Sequence, residues 1–185
     1  MKTALVIMDM QYDFCESGVL PHEKSLLIIP RINRMRDTYD LIIFVKKQLQ
    51  YNHSIFKQYG GSFPIHCVVD TNGEHIHDDL IIKTDDIVIN RGTLQKYDSN
   101  SAFYDAEEIY KETRLKQILL AYNIKNLFFC GNGMENSIFS TIMDAIKNKY
   151  KCTVISNAIT YLDENKMNTC VEYLQTLDVE FIEFV

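Results

Sequence analysis

The sequence predicts an α/β protein: a three-layer α-β-α arrangement around a six-stranded, mainly parallel sheet, built as a single domain over residues 1–185. Three observations predict it. Apolar runs of strand length recur along the chain, amphipathic helical stretches lie between them, and the strand runs are apolar at successive positions rather than alternate ones. A strand that reads as an unbroken apolar run has both faces buried, the condition of a parallel sheet covered by helices on each side.

The first strand covers residues 3–9 (TALVIMD). Residues 24–39 follow as a helix that turns Leu26, Leu27, Ile29, Ile32 and Met35 inward. Pro30 is expected to kink or reset it, because proline lacks the amide proton and crowds the preceding turn. Further strands fall at 41–47, 86–92, 126–131, 152–158 and 179–185. Helices fall at 106–122, 136–149 and 163–177, and the irregular stretch 48–84 is expected to fold over one edge of the sheet.

The bulk numbers exclude several classes. With 46 % hydrophobic and 24 % charged residues the composition is that of an ordinary globular domain. A net charge of -6, with basic residues scattered along the chain, opposes nucleic-acid binding, which needs a basic face. No run of apolar residues is long enough to span a membrane. The apolar start is interrupted at Asp9 and no small-residue cleavage site follows, so it reads as a buried strand rather than a signal peptide. The five cysteines are odd in number and form no CxxC pair, which predicts reduced thiols and a cytoplasmic location. Of these, Cys67, Cys130 and Cys152 adjoin strand residues and are expected to pack as small hydrophobes.

In a parallel α/β sheet the ligand crevice lies beyond the carboxyl ends of the strands. That rule selects Asp9, Lys46, Lys47, Arg91 and the turn 131–137. A carboxylate at Asp9 suits either a general base or a turn cap. Arg91 suits an anion clamp or a plain surface cation, and Ser137, near a helix start, suits N-capping, as does Asn136. His66, His75 and His77 fall within twelve residues, but the last two lie in a polar glycine-containing loop without a helical ligand spacing. One ordered histidine is the better reading than a three-ligand zinc site.

Taken in order, these segments resemble the isochorismatase-like hydrolase superfamily, which includes the nicotinamidases. ALVIMDMQYDF is similar to its opening D-x-Q-x-D-F signature, here Asp9, Gln11, Asp13 and Phe14. FPIHCVVDTNGEHIHDDL resembles its W-P-x-H-C-V segment, and INRGTLQKYDSNSAF its K-G strand end followed by D-S-Y-S-A-F. CGNGMENSIFSTIMDA matches its G-x-x-T-[DE]-x-C-V turn and helix without a gap, through Gly131, Glu135, Thr141, Asp144 and Ala145. The resemblance implies an Asp-Lys-Cys triad. By position it falls on Asp9, Arg91 and Ser137, so two of the three members differ. It also implies a metal site in nicotinamidases whose last histidine is His66. Its other two ligand positions fall on Lys47 and Leu49, neither of which binds a metal, so no metal and no other cofactor is expected. The family's turn further implies a cis Gly133–Met134 bond, and relatives' habits imply a homo-oligomer.

The altered triad predicts altered chemistry. A thiol with a pKa of about 8.5 is readily tuned to a thiolate at a helix start, whereas a serine hydroxyl needs a good general base. A guanidinium is a planar fork that binds a carboxylate bidentately, so Arg91 is expected to hold Asp9 rather than assist it. The expected protein is a metal-free member without cysteine-amidase activity. Its pocket, from Phe14, Lys47, Gly133, Met134 and Glu135 beside the triad, would take a small anionic ligand, or Lys47 and Arg91 would simply pair with Asp9 and Glu135. An active metal-free hydrolase of small amides or isochorismate-like compounds, and a non-catalytic interaction scaffold, are the alternatives.

Overall fold

The computed structural model describes residues 1–185. Its main sheet has six strands: β1 (Lys2–Met8), β2 (Leu41–Lys47), β3 (Ile87–Arg91), β6 (Ile124–Gly131), β7 (Lys151–Ile159) and β8 (Glu180–Ile182). Their spatial order is β3-β2-β1-β6-β7-β8 and every pairing is parallel. The unbroken apolar run of β1 is explained by its two faces. Ala4, Val6 and Met8 pack with α2 (Leu115–Ala121), α3 (Phe139–Lys147) and α4 (Glu164–Gln175), while Leu5 and Ile7 pack with α1 (Ser25–Met35). The three layers follow from that alternation.

Several predicted elements change shape. The 106–122 helix is confined to its second half, α2. Its first half is a two-stranded antiparallel hairpin, β4 (Tyr104–Ala106) and β5 (Lys111–Glu112), around a 3₁₀ turn that ends at Tyr110 in the left-handed region. Asp105 fixes it: its carboxylate accepts from Thr93 N and Oγ1 at 2.8 and 2.7 Å and pairs with Lys111 Nζ at 2.7 Å. The Thr113 hydroxyl accepts from Leu115 N at 3.1 Å at the start of α2. Local helix propensity yields here to those tertiary bonds.

In α1 the inward set is Ile28, Ile29, Ile32 and Met35, whereas Leu27 is 69 % exposed. Pro30 sits inside the helix without resetting it. The predicted 136–149 helix is preceded by one π-helical turn, Met134–Ile138. No peptide bond is cis, so the Gly133–Met134 expectation is corrected. All five cysteines are free, and burial raises Cys67 and Cys130 well above the ordinary thiol range, as expected of inert packing groups. No helix is long and apolar enough to cross a membrane. The basic residues are less scattered than the sequence suggests: Lys2, Lys125, Lys149 and Lys151 border one hollow at the amino-terminal edge of the sheet.

Candidate active site

The carboxyl ends of β1, β2 and β3 bring the predicted groups together. Asp9 follows β1 directly, Lys47 ends β2, Arg91 ends β3, and Lys47 and Arg91 are register partners. Asp9 has a positive φ of 53° yet its N–H still donates to Val45 O at 2.9 Å, so it turns the chain without leaving the ladder. Aspartate tolerates that conformation better than most residues.

The loop 48–84 is pinned over this edge by the motif residues. Gln11 Nε2 donates to Lys47 O and Glu74 O, and Gln11 Oε1 accepts from Lys47 N, each at 2.7 Å. Asp13 Oδ2 accepts from Cys67 N at 2.6 Å. Gly73 lets the loop close: a Cβ there would lie 2.0 Å from Asp13 Oδ2, inside any permitted contact. The pinned loop delivers Ile55, Phe63 and His66 to the site.

The result is a cavity of about 400 Å³. Its polar lining includes Asp9, Lys47, Arg91, Asp98 and Ser137, and its apolar lining is Phe14, Leu20, Ile55, Phe63 and Leu162. Gly133 lines it, whereas buried Met134 and half-buried Glu135 are not in its lining. Glu135 Oε1 accepts from Leu162 N and Asp163 N at 2.7 and 2.9 Å, clamping the segment after β7. Met134 and Glu135 are therefore removed from the pocket set and act as supports.

Two ion pairs organise the polar side. Arg91 Nη2 lies 2.5 Å from Asp9 Oδ2, with both side chains buried, and Arg91 Nη1 donates to Ser99 O. Lys47 Nζ pairs with Asp98 Oδ2 at 2.7 Å rather than with Glu135. Burial pushes the Asp98 carboxyl up, but the charges of Lys47 and Arg91 outweigh it and hold the group below the usual carboxylate range. Asp98 was missed as a site residue although it opens the DSNSAF stretch, because nothing local shows which cation it meets.

Ser137 makes no bond to Asp9. Its Oγ donates to Asn132 O at 3.4 Å. Gly133, at φ 82°, brings the chain against it: a Cβ there would lie 3.0 Å from Ser137 Oγ and 3.8 Å from His22 Cε1. His22 had no signal in the sequence. Thr160 Oγ1 donates to Asn132 Oδ1 at 2.8 Å and so accepts from His22 Nδ1 at 3.2 Å, leaving His22 Nε2 without a proton. Burial lowers the pKa of both His22 and His66, aided at His66 by Lys47.

The family model for the Isochorismatase domain matches residues 3–182. The chain belongs to the isochorismatase family. It is 29 % identical over 178 residues to a nicotinamidase of Acinetobacter baylyi, covering 88 % of this chain and 83 % of that protein. Among solved structures it resembles PnC1 from L. infantum in complex with nicotinate, at 26 % identity and a TM-score of 0.93, covering 98 % of this chain and 92 % of that one. A pyrazinamidase of Pyrococcus horikoshii in complex with zinc shares the fold, with a TM-score of 0.89 at 24 % identity over the full length of both chains.

This isochorismatase-domain chain does not fit a metal at the corresponding place. His66 is a single donor, its ring ringed by Phe14, Phe56 and Phe63 at centroid distances of 5.6–5.9 Å. Lys47 is an ammonium committed to Asp98, and Leu49 is an aliphatic chain buried with Phe56 and Val68. No group of three histidine, cysteine or carboxylate side chains is gathered as ligands anywhere in the chain.

Proposed function

We propose that this isochorismatase-domain protein binds a small molecule in the cavity beside Asp9, Arg91 and Ser137, without a metal and without the cysteine-type amide hydrolysis of nicotinamidases. One observation carries the reading. Arg91 occupies Asp9 Oδ2 at 2.5 Å, and the Ser137 hydroxyl is directed to a backbone carbonyl, not to the carboxylate. A base bound to a guanidinium and out of contact with its nucleophile cannot take the hydroxyl proton. The charge balance also speaks against the anionic ligand suggested by the two basic strand ends, since each cation is already neutralised. The test compares the wild type, Ser137→Cys, Arg91→Lys and the double variant on nicotinamide, benzamide, carbamoyl compounds and isochorismate. Turnover of an amide by the double variant alone is expected. Turnover of nicotinamide by the wild type would refute the reading.

His22 supports a second reading, an active serine hydrolase. It borders Ser137 across Gly133, and Thr160 holds its tautomer with Nε2 free. In that reading Ser137 Oγ attacks an acyl carbon, His22 Nε2 takes the hydroxyl proton and returns it to the leaving group, and water releases the acyl group by the same route. Hydrolysis of an activated ester by the wild type, lost in both Ser137→Ala and His22→Gln, would favour it over the first. Turnover that survives either change would remove it.

A further inference from the structure

The cavity lining is unbalanced in charge and in hydrogen bonding. Four carboxylates line it, Asp9, Asp98, Glu107 and Glu108, against two cations, Lys47 and Arg91. The two histidines add no charge at neutral pH, because burial keeps both neutral. Each cation is already engaged. Arg91 donates from Nη2 to Asp9 and from Nη1 to Ser99 O, and Lys47 Nζ donates a hydrogen bond to Asp98. An incoming anion would have to displace Asp98 from Lys47 or Asp9 from Arg91.

What is left over is the negative charge of Glu107 and Glu108 and one acceptor. The second oxygens of Asp9 and Asp98 are buried out of a ligand's reach, that of Asp98 against Gly92. His66 Nδ1 faces Pro64 O at 2.8 Å. A carbonyl only accepts, so Nδ1 carries the proton and Nε2 is an acceptor on a residue that lines the cavity. Phe14 and Phe63 pack against the His66 ring, and Leu20, Ile55 and Leu162 complete the apolar lining. Such a wall suits a flat apolar body, and aromatic faces favour a positive charge over a negative one.

We propose that the cavity takes a small organic cation that carries N–H donors on an apolar or aromatic body, such as an arylamidine or arylmethylamine. The assignment rests on the reading of the cavity as a small-molecule site. The cationic head lies toward Glu107, Glu108 and His66 Nε2, and the body lies on Phe14 and Phe63. Glu107 and Glu108 are exposed at the lining and draw the cation in.

Isothermal titration of the wild-type protein with three probes of one shape tests this: benzamidine, benzamide and benzoate. Benzamidine is expected to bind more tightly than benzoate by about tenfold or more, with benzamide between them. The Glu107→Gln/Glu108→Gln variant removes two charges while keeping the oxygen of Glu107 that accepts from Ser99, Asn100 and Ser101. It should weaken benzamidine several-fold at an unchanged Tm and leave benzamide unaffected. Benzoate binding as tight as benzamidine, or no benzamidine binding, overturns the proposal. Benzamide binding with no preference for the cation would overturn it too, while leaving the small-molecule reading standing. Nicotinamide turnover by the wild type bears on the earlier reading alone, because charge preference is read from binding.

Discussion

The Arg91–Asp9 pair decides whether the carboxylate is free for chemistry, and its strength is measurable as stability. Arg91 is 1 % exposed and Asp9 5 % exposed, so neither charge can return to water if its partner is removed. Arg91→Met keeps most of the side-chain volume and leaves Asp9 buried and unpaired. Asp9→Asn keeps the shape and leaves the guanidinium with only Ser99 O among its bonds. Removing one partner of a buried pair costs about 3–5 kcal/mol, chiefly the desolvation of the survivor. With a urea m-value of about 2 kcal/mol/M, the midpoint of either single variant should fall by about 1.5–2.5 M. The double variant buries no unpaired charge and should recover much of the loss, giving a coupling of about 2 kcal/mol or more in the cycle. Urea unfolding followed by circular dichroism reads all four proteins. If both single variants lose less than about 1 kcal/mol, Asp9 is not held by Arg91 and the argument against its role as a base fails.

The remaining predictions use other parts of the molecule. His22 and His66 both have folded-state pKa values below 6.5, owing to burial, so the unfolded chain binds protons first as pH falls. Stability from these two groups is complete above pH 6.5 and declines below it, by at most about 1.4 kcal/mol per pH unit per histidine. Urea midpoints between pH 7.5 and 5 check this, and His66→Phe should flatten the slope. Dialysis against EDTA should leave Tm unchanged, and tightly held zinc at one ion per chain would contradict the donor-set argument. Asp163 caps α4 by accepting from Lys166 N at 3.1 Å, so Asp163→Ala should cost about 1 kcal/mol, read as a lower midpoint.

The parallel sheet was legible because burial on two faces leaves a signature within each strand. The runs at Ala4–Met8 and Leu41–Val45 are buried at every position, as a parallel sheet covered by helices on both faces requires. The strand ends then located the site, since Asp9, Lys47 and Arg91 need only the topology to converge. The hairpin at 104–112 was illegible for the opposite reason. Its sequence suits a helix, and the bonds of Asp105 to Thr93 and Lys111, with the Thr113 hydroxyl donating to Ala102 O, decide otherwise. His22 was hidden in the same way, because its place beside Ser137 depends on Thr160, 138 residues away.

The pairing of Lys47 shows why residue identity at a strand end does not fix the sign of a ligand. Read along the chain, a lysine at a metal-ligand position and an arginine at a lysine position both add positive charge to the crevice. In space each meets a carboxylate, and Glu107 and Glu108 come with the hairpin that the sequence conceals. The two cations and the two carboxylates form two closed pairs: Asp98 neutralises Lys47, and Arg91 does the same to Asp9. Both cations are then engaged, and the charge left uncompensated in the lining is that of Glu107 and Glu108. On the proposed reading such a pocket has no free base to activate a nucleophile, and its selectivity should follow the positive charge of the ligand rather than its acidity.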